Sequence, residues 1–249
     1  MCLIRLLYLI PSLTNSGGME RVLTDKVNYL IKLGNYSITI ITTDMKSSES
    51  PFYKLDINVK VINLEIFFES IFNLPLLKKR KESKILLEMY ERKLSKYILD
   101  NQVDICISMG AKELEFFSKF DVPVVKIFEY HFNPTVRSSF IADHKGSSLF
   151  WRILGKYRDW QYLQQTKNLD QVVVLTKNAQ IEWKKTHNNV CIINNPSPFA
   201  KINYKIDDKE YKRAIAIGRL EDQKGFDLLI ESWKKVYDIH PNWKLDIFV

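Results

Sequence analysis

LIRLLYLI at residues 3–10, PSLTNSG at 11–17, GMERVLTDKVNYLIKL at 18–33 and SITIITT at 37–43 read as a strand, a turn, a helix and a second strand. The unbroken apolar run of 3–10 suits a strand covered on both faces, as parallel sheets require. Val22, Leu23, Val27, Leu30 and Ile31 recur at helical spacing on one face, and Gly34 closes that helix. Two strands joined by a helix pair in parallel with a right-handed crossover. The same alternation continues outward. Strands are expected over 59–63, 103–108, 122–128, 171–175 and 190–193, and helices over 76–100, 112–119, 149–168 and 177–186. Such a series makes an open, doubly wound α/β domain.

After Ile193 the text becomes NNPSPFAKINYKIDDKEYKR, polar, with two prolines and no periodicity. We read 1–195 as an N-terminal domain and 196–212 as a linker. The pattern restarts with a strand over 213–217, a helix over 224–240 and a strand over 244–249. That last piece is far shorter than the ~100 residues of an ordinary α/β domain. The expectation is a second domain of similar design, begun and cut off.

The 249 residues are 46% hydrophobic and 27% charged, which excludes a disordered or low-complexity chain. No stretch approaches the ~20 apolar residues of a membrane-spanning helix, so a soluble or peripheral protein is expected. A signal peptide fits poorly, because Leu6–Ile10 is short and no small-residue cleavage site follows. Cys2, Cys106 and Cys191 form no C-x-x-C pair and have no histidines at metal spacing. Cys106 and Cys191 lie in apolar runs and are expected to be buried thiols of a reducing, cytoplasmic compartment. The net charge of +8 concentrates in residues 78–96, which hold eight basic and three acidic residues. A nucleic-acid partner is not expected, because that excess clusters in one helix without the interleaved aromatics of a stacking surface.

Three segments carry chemistry. In SGGME, Gly17 and Gly18 let backbone N–H groups approach an anion at a helix N-terminus, although a plain tight turn explains the doublet equally. Glu20 could serve that loop or only favour the positive end of its helix. The second segment is RAIAIGRLEDQKGFDLLIESW at 213–233, where Arg219 and Lys224 fall at the carboxyl end of a strand and the start of a helix. Open α/β folds bind ligands at that edge. The third is Glu129-x-His131, placed just after the strand expected over 122–128. There His131 could be a site residue or a buried structural histidine, and Glu129 could orient it or cap a loop. His144, His187 and His240 read as surface or helix-end residues.

G-R-L-x-x-Q-K-G-F-D-x-L-I-x-x-W resembles the segment opening the C-terminal domain of the family-4 glycosyltransferases, retaining nucleotide-sugar enzymes of the GT-B fold. Gly17-Gly18-Met19-Glu20 is similar to their G-G-x-E loop, and Ile193-Asn194-Asn195-Pro196 to their I-x-N-P. Val174-Leu175-Thr176 matches the strand and helix start before that linker. The resemblance implies a GT-B fold, with a Rossmann-like N-terminal acceptor domain and the first βαβ portion of a Rossmann-like donor domain. It implies that Arg219 and Lys224 hold the donor diphosphate, that Gly17 and Gly18 face it, that His131 sits by the reacting sugar, and that Glu20 and Glu129 support them. It also implies no cofactor and no metal, since preplaced cations and backbone donors neutralise the leaving diphosphate. The implied partners are a nucleotide sugar and a glycan or lipid-linked acceptor of cell-surface polysaccharide or lipopolysaccharide assembly. The family's E-x7-E carboxylates lie beyond Val249. The 249-residue chain by itself is therefore expected to be inactive, and the alternative reading is a non-catalytic fragment or binding module.

EIFFESIFNLPLLKKRKESK at 65–84 sets an apolar aromatic stretch beside Lys78-Lys79-Arg80-Lys81. It suits an anionic membrane surface, which would make the protein peripheral on the inner face of the cytoplasmic membrane. The alternative is a packed loop followed by a helix with a charged face.

Overall fold

The computed structural model describes residues 3–131, 148–197, 211–220 and 224–249. The chain divides into two compact units, Met1–Pro198 and Phe199–Val249. Most of the linker expected over 196–212 lies outside the described residues.

The first unit is built on strands β1 (Ile4–Ile10), β2 (Tyr36–Thr42), β3 (Lys60–Asn63), β4 (Ile105–Ser108), β5 (Val125–Tyr130), β6 (Gln171–Val174) and β7 (Val190–Ile192). They form one sheet in the order β3-β2-β1-β4-β5-β6-β7, every neighbouring pair parallel. The chain moves outward from β1 to β3 and then returns to the other side of β1 at β4. The carboxyl ends of β1 and β4 therefore flank the topological switch point, where such sheets open a crevice.

Side-chain alternation assigns the two faces. Leu6, Tyr8 and Ile10 of β1 and Ile38 and Ile40 of β2 pack against Leu23 and Val27 of α1 (Gly18–Lys32). Leu7 and Leu9 of β1, Phe128 and Tyr130 of β5 and Val172 and Val174 of β6 face the other way. That side is covered by α2 (Leu76–Asn101), the short α3 (Leu114–Phe117), α4 (Leu149–Thr166) and α5 (Lys177–Trp183). Tyr90, Leu94 and Ile98, one turn apart, dock the second half of α2, while Gln102 ends that helix in the left-handed conformation, φ 50°. Gly34, at φ +73°, follows α1 and donates to Ile31.

Several expectations need correction. β5 starts at Val125 and runs through Tyr130 instead of spanning 122–128, because Val122 and Val124 close tight turns with Phe120 and Val122. Glu129 is thus a strand residue. His187 is not at the surface: it is 3% exposed, bonded through Nε2 to Thr166 Oγ1 at 3.1 Å and through Nδ1 to Thr186 Oγ1 at 2.8 Å, and packed on the Trp183 ring. Burial pulls the His187 imidazole below its ordinary pKa. Cys106 is buried as expected, but Cys191 is half-buried, because β7 is an edge strand. In the segment 65–84, Ile66, Phe68 and Ile71 belong to the core, so only part of its apolar surface faces outward. His144 lies outside the described residues.

The second unit contains β8 (Arg213–Ile217) paired in parallel with β9 (Lys244–Phe248) and connected by α6 (Phe226–Ile239). The helix begins at Phe226, later than the 224 expected, because Gly225 takes φ +62° immediately before it. Its residues carry a strong apolar stripe, yet none is buried. Among the described residues no helix is long and apolar enough to cross a membrane.

Candidate functional site

The candidate site of the first unit lies at the carboxyl edge of the seven-stranded sheet. β1 delivers the chain to Ser12 and Thr14, which share a hydroxyl hydrogen bond of 2.8 Å, and then to Gly17, the N-cap of α1. Gly17 has extended backbone, and no side chain caps the helix there. The Glu20 carboxylate folds back over Gly17, and a Cβ on Gly17 would collide with it. Glu20 stands in the first turn of the helix, where a carboxylate favours the positive end of the dipole. Gly18 has open space around its Cα, exposed to solvent.

At the end of β5, Glu129 is 7% exposed on the α1 side of the sheet. His131 follows two residues later, its side chain also 7% exposed, and its Nε2 lies 3.1 Å from Glu129 Oε1. Lys26, reaching from α1, forms an ion pair with the same oxygen. Burial pushes the Glu129 carboxyl up, but the His131 hydrogen bond and the Lys26 ammonium together outweigh it and hold the group below its ordinary value. Glu129 is therefore a carboxylate at neutral pH. A carboxylate accepting from Nε2–H leaves the histidine's Nδ1 as the nitrogen that can serve a ligand. Beside this group stands Tyr8 of β1, whose hydroxyl is kept protonated by burial and by the Glu129 charge.

Four rings hold β5 from its other face. Phe128 and Tyr130 meet Trp183 at centroid distances of 5.8 and 5.3 Å and Tyr162 at 6.0 and 5.5 Å. Two well-packed neighbours of Glu129 fix the strand, so the carboxylate cannot drift to follow its partners.

The loop after β4 completes this edge. Gly110 sits at φ +90°, and a Cβ there would press on the Phe128 ring at 3.2 Å. Glu113 is 1% exposed and accepts hydrogen bonds from Ser108 Oγ at 2.5 Å and from the Ala111 N–H at 3.0 Å. Burial raises the Glu113 pKa by more than these hydrogen bonds lower it.

The structure thus brings Glu129 and His131 together on β5, and sets Gly17, Gly18 and Glu20 on the same edge of the sheet at the start of α1. Arg219 and Lys224 lie in the second unit, both exposed, just past β8 and just before α6. Gly218 accommodates the Lys224 stem and the Phe226 ring, which a Cβ would meet at 3.6 and 3.4 Å. Residues 221–223, between the two basic residues, lie outside the described residues. Sequence reasoning missed Lys26, because nothing in a helix periodicity links a lysine to a carboxylate 103 residues away. It also missed Gly110, Ser108 and Glu113. A glycine two residues past the strand at the switch point was a readable signal for that loop. Among the described residues no cluster of three His, Cys, Asp or Glu could hold a metal ion.

No family model matches the chain. It is similar to a Haemophilus influenzae protein named an uncharacterized glycosyltransferase, 26% identical over 248 residues that cover 96% of this chain and 60% of that protein. It is also similar to the amylovoran biosynthesis glycosyltransferase AmsD of Erwinia amylovora, 28% identical over 251 residues, 97% of this chain and 60% of that one. The chain thus spans 60% of the length of both curated relatives. A mutant of S. aureus TarM, solved with fondaparinux, α-GlcNAc-glycerol and UDP, superposes with a TM-score of 0.63 at 16% identity, covering 98% of this chain and 72% of TarM. The fold is that of the GT-B glycosyltransferases, and the first unit is Rossmann-like.

Proposed function

We propose that the whole protein is a nucleotide-sugar-dependent glycosyltransferase of the family-4 type, transferring a hexose with retention to a glycan or lipid-linked acceptor. The observation that carries this reading is the paired placement of anion-ready backbone and cations at carboxyl edges. Gly17 and Gly18 open α1 at the edge of one sheet, and Arg219 and Lys224 follow β8 at the edge of the other. The relatives' names support it, and their similarity runs through both units, which gives no support to a separate binding module.

In this reading the first unit takes the acceptor and the second the donor. Bond breaking places negative charge on the leaving diphosphate. Arg219 and Lys224 are cations ready to meet it, and the N–H groups of Gly17 and Gly18 add fixed dipoles. These groups neutralise the leaving group without a metal or another cofactor. The Glu20 carboxylate, which leans over Gly17, swings aside or is displaced as the diphosphate arrives. His131, oriented by Glu129, offers Nδ1 to a sugar hydroxyl. The acceptor belongs to cell-surface polysaccharide or lipopolysaccharide assembly on the cytoplasmic side, in line with one relative's naming for amylovoran biosynthesis. Contact with an anionic membrane surface through residues 65–84 is part of the same reading.

The test is transfer of radiolabelled sugar from a panel of UDP and GDP sugars by the full-length protein, since this chain spans 60% of its relatives. Arg219→Ala and Lys224→Ala should each lower kcat/KM about 100-fold or more, the usual effect of removing a group that stabilises developing charge. Wild-type rates in both variants would overturn the diphosphate assignment. Metal chelation should leave the rate unchanged.

A further inference from the structure

α1 turns Leu23 and Val27 into the core, and Lys26 stands beside Val27, one turn after Leu23. A lysine at the border of a buried stripe ordinarily carries its ammonium out to water. Lys26 does not. Its side chain is only 20% exposed, and its Nζ forms an ion pair with Glu129 Oε1 on β5, 103 residues further along the chain. Ordering and drying a lysine is costly, and a carboxylate that is itself 7% exposed offsets that cost. The same oxygen meets the His131 Nε2 at 3.1 Å, and that side chain is 7% exposed as well. Tyr8 of β1 completes the group, its hydroxyl kept protonated by burial and by the Glu129 charge.

Charge decides how this cluster holds its protons. Glu129 is a carboxylate and Lys26 an ammonium, so with a neutral imidazole the set carries no net charge. A second proton on His131 would leave an uncompensated positive charge among side chains that are at most one-fifth exposed, which a poorly solvated site disfavours. Without Lys26 the balance reverses. A buried carboxylate with an imidazole as its one remaining ion partner draws the second proton onto the ring. Both ring nitrogens would then be donors, and neither could accept from a ligand.

We propose that Lys26 is a positioning residue for His131: its ammonium, seated on Glu129, holds the imidazole neutral with its proton on Nε2, so that Nδ1 remains an acceptor for a ligand hydroxyl. The same contact ties α1, which carries Gly18 at its head, to the strand that delivers His131. The inference rests on the glycosyltransferase reading only for what the ligand is, a hydroxyl of a sugar. The protons on the ring are read without a transfer assay, so either idea can fail while the other stands.

The experiment labels the histidines of the full-length protein with nitrogen-15 and reads the His131 ring nitrogens in long-range proton–nitrogen spectra at neutral pH. The His131 signals are identified by their loss in His131→Gln. Wild type should show one protonated nitrogen, Nε2, and a bare Nδ1. Lys26→Met should show both nitrogens protonated, and Lys26→Arg should restore the wild-type pattern. Lys26→Met combined with Glu129→Gln removes both charges and keeps an acceptor oxygen, so it too should return the ring to its neutral form. That double variant strands no carboxylate, which keeps the test answerable if Lys26→Met folds poorly. In sugar-transfer assays Lys26→Met should lower kcat/KM about tenfold at neutral pH, and the deficit should close as pH rises, whereas a purely structural defect would persist at every pH. A doubly protonated ring in wild type overturns the proposal, and so does a neutral ring in Lys26→Met. A doubly protonated ring in the double variant does the same, because charge balance would then not govern the ring.

Discussion

Two glutamates are buried near the carboxyl edge of the seven-stranded sheet, on opposite faces, and their surroundings treat charge in opposite ways. Glu113 lies on the aromatic side, beside Tyr90 and Cys106, with hydrogen bonds from Ser108 and Ala111, and burial drives its carboxyl toward the protonated form. Glu129 lies on the α1 side, where Lys26 and His131 converge on one oxygen and keep it ionised. A buried carboxyl must be neutralised by a proton or by a cation. The side with the cation is the one that also carries the glycine loop and the histidine, which is where the proposed function puts the chemistry. The aromatic side supplies rigidity.

The contrast can be broken by experiment. The largest effect should come from the rigid side: Trp183→Ala removes a fully buried ring that touches Phe128, Tyr130 and Tyr162, at a cost of about 4 kcal/mol in urea unfolding. A loss under about 1 kcal/mol would mean that the ring cluster does not brace β5. On the other face, Lys26→Met strands the Glu129 carboxylate and should destabilise by roughly 3 kcal/mol. Pairing it with Glu129→Leu should restore most of that loss. If the double variant is as unstable as the single one, the ion pair is not the source of the effect. Gly110→Ala combines a left-handed backbone with a contact on Phe128 and should cost about 2 kcal/mol.

Smaller effects follow from titration. The depressed Glu129 group stabilises the fold above its unfolded pKa, and that contribution is lost as pH falls through its lower folded value. Wild type should therefore lose stability in acid more steeply than the Lys26→Met variant, as read from Tm against pH. Glu113 behaves oppositely. Its raised folded pKa gives stability that is complete below the ordinary carboxylate value and lost as pH rises. Glu113→Gln should accordingly hold or raise Tm at neutral pH, by at most about 1 kcal/mol of stability. A clear fall would show that the ionised carboxylate is the form the loop needs.

Much of this was legible in one dimension. β1, α1 and β2 appear within a residue or so of where the apolar runs place them, since strand and helix periods are local properties. The end of β5 was not. Val122 and Val124 are β-branched and apolar, yet they form turns, because the ladder with β4 begins at Val125. His187 fails in the same way, and in the segment 65–84 the sequence left a packed loop and a membrane-facing stretch as alternatives for the same reason. Whether a histidine at a helix end or a phenylalanine in a loop is covered depends on what packs against it, and Thr166 and Tyr90 lie elsewhere in the chain.

The sequence by itself determined the parallel α/β design, the glycine loop at the head of α1, the Glu129-x-His131 pair and the basic pair Arg219 and Lys224. Each is a short-range pattern whose meaning lies in spacing or in local backbone geometry. Only the tertiary structure decided that Lys26 neutralises Glu129, that Glu113 is buried behind hydrogen bonds from Ser108 and Ala111 and that α4 turns an apolar stripe outward. Those facts depend on which distant residues share a face of the sheet, and charge in a low-dielectric interior responds to exactly such neighbours, however far apart they are in the chain.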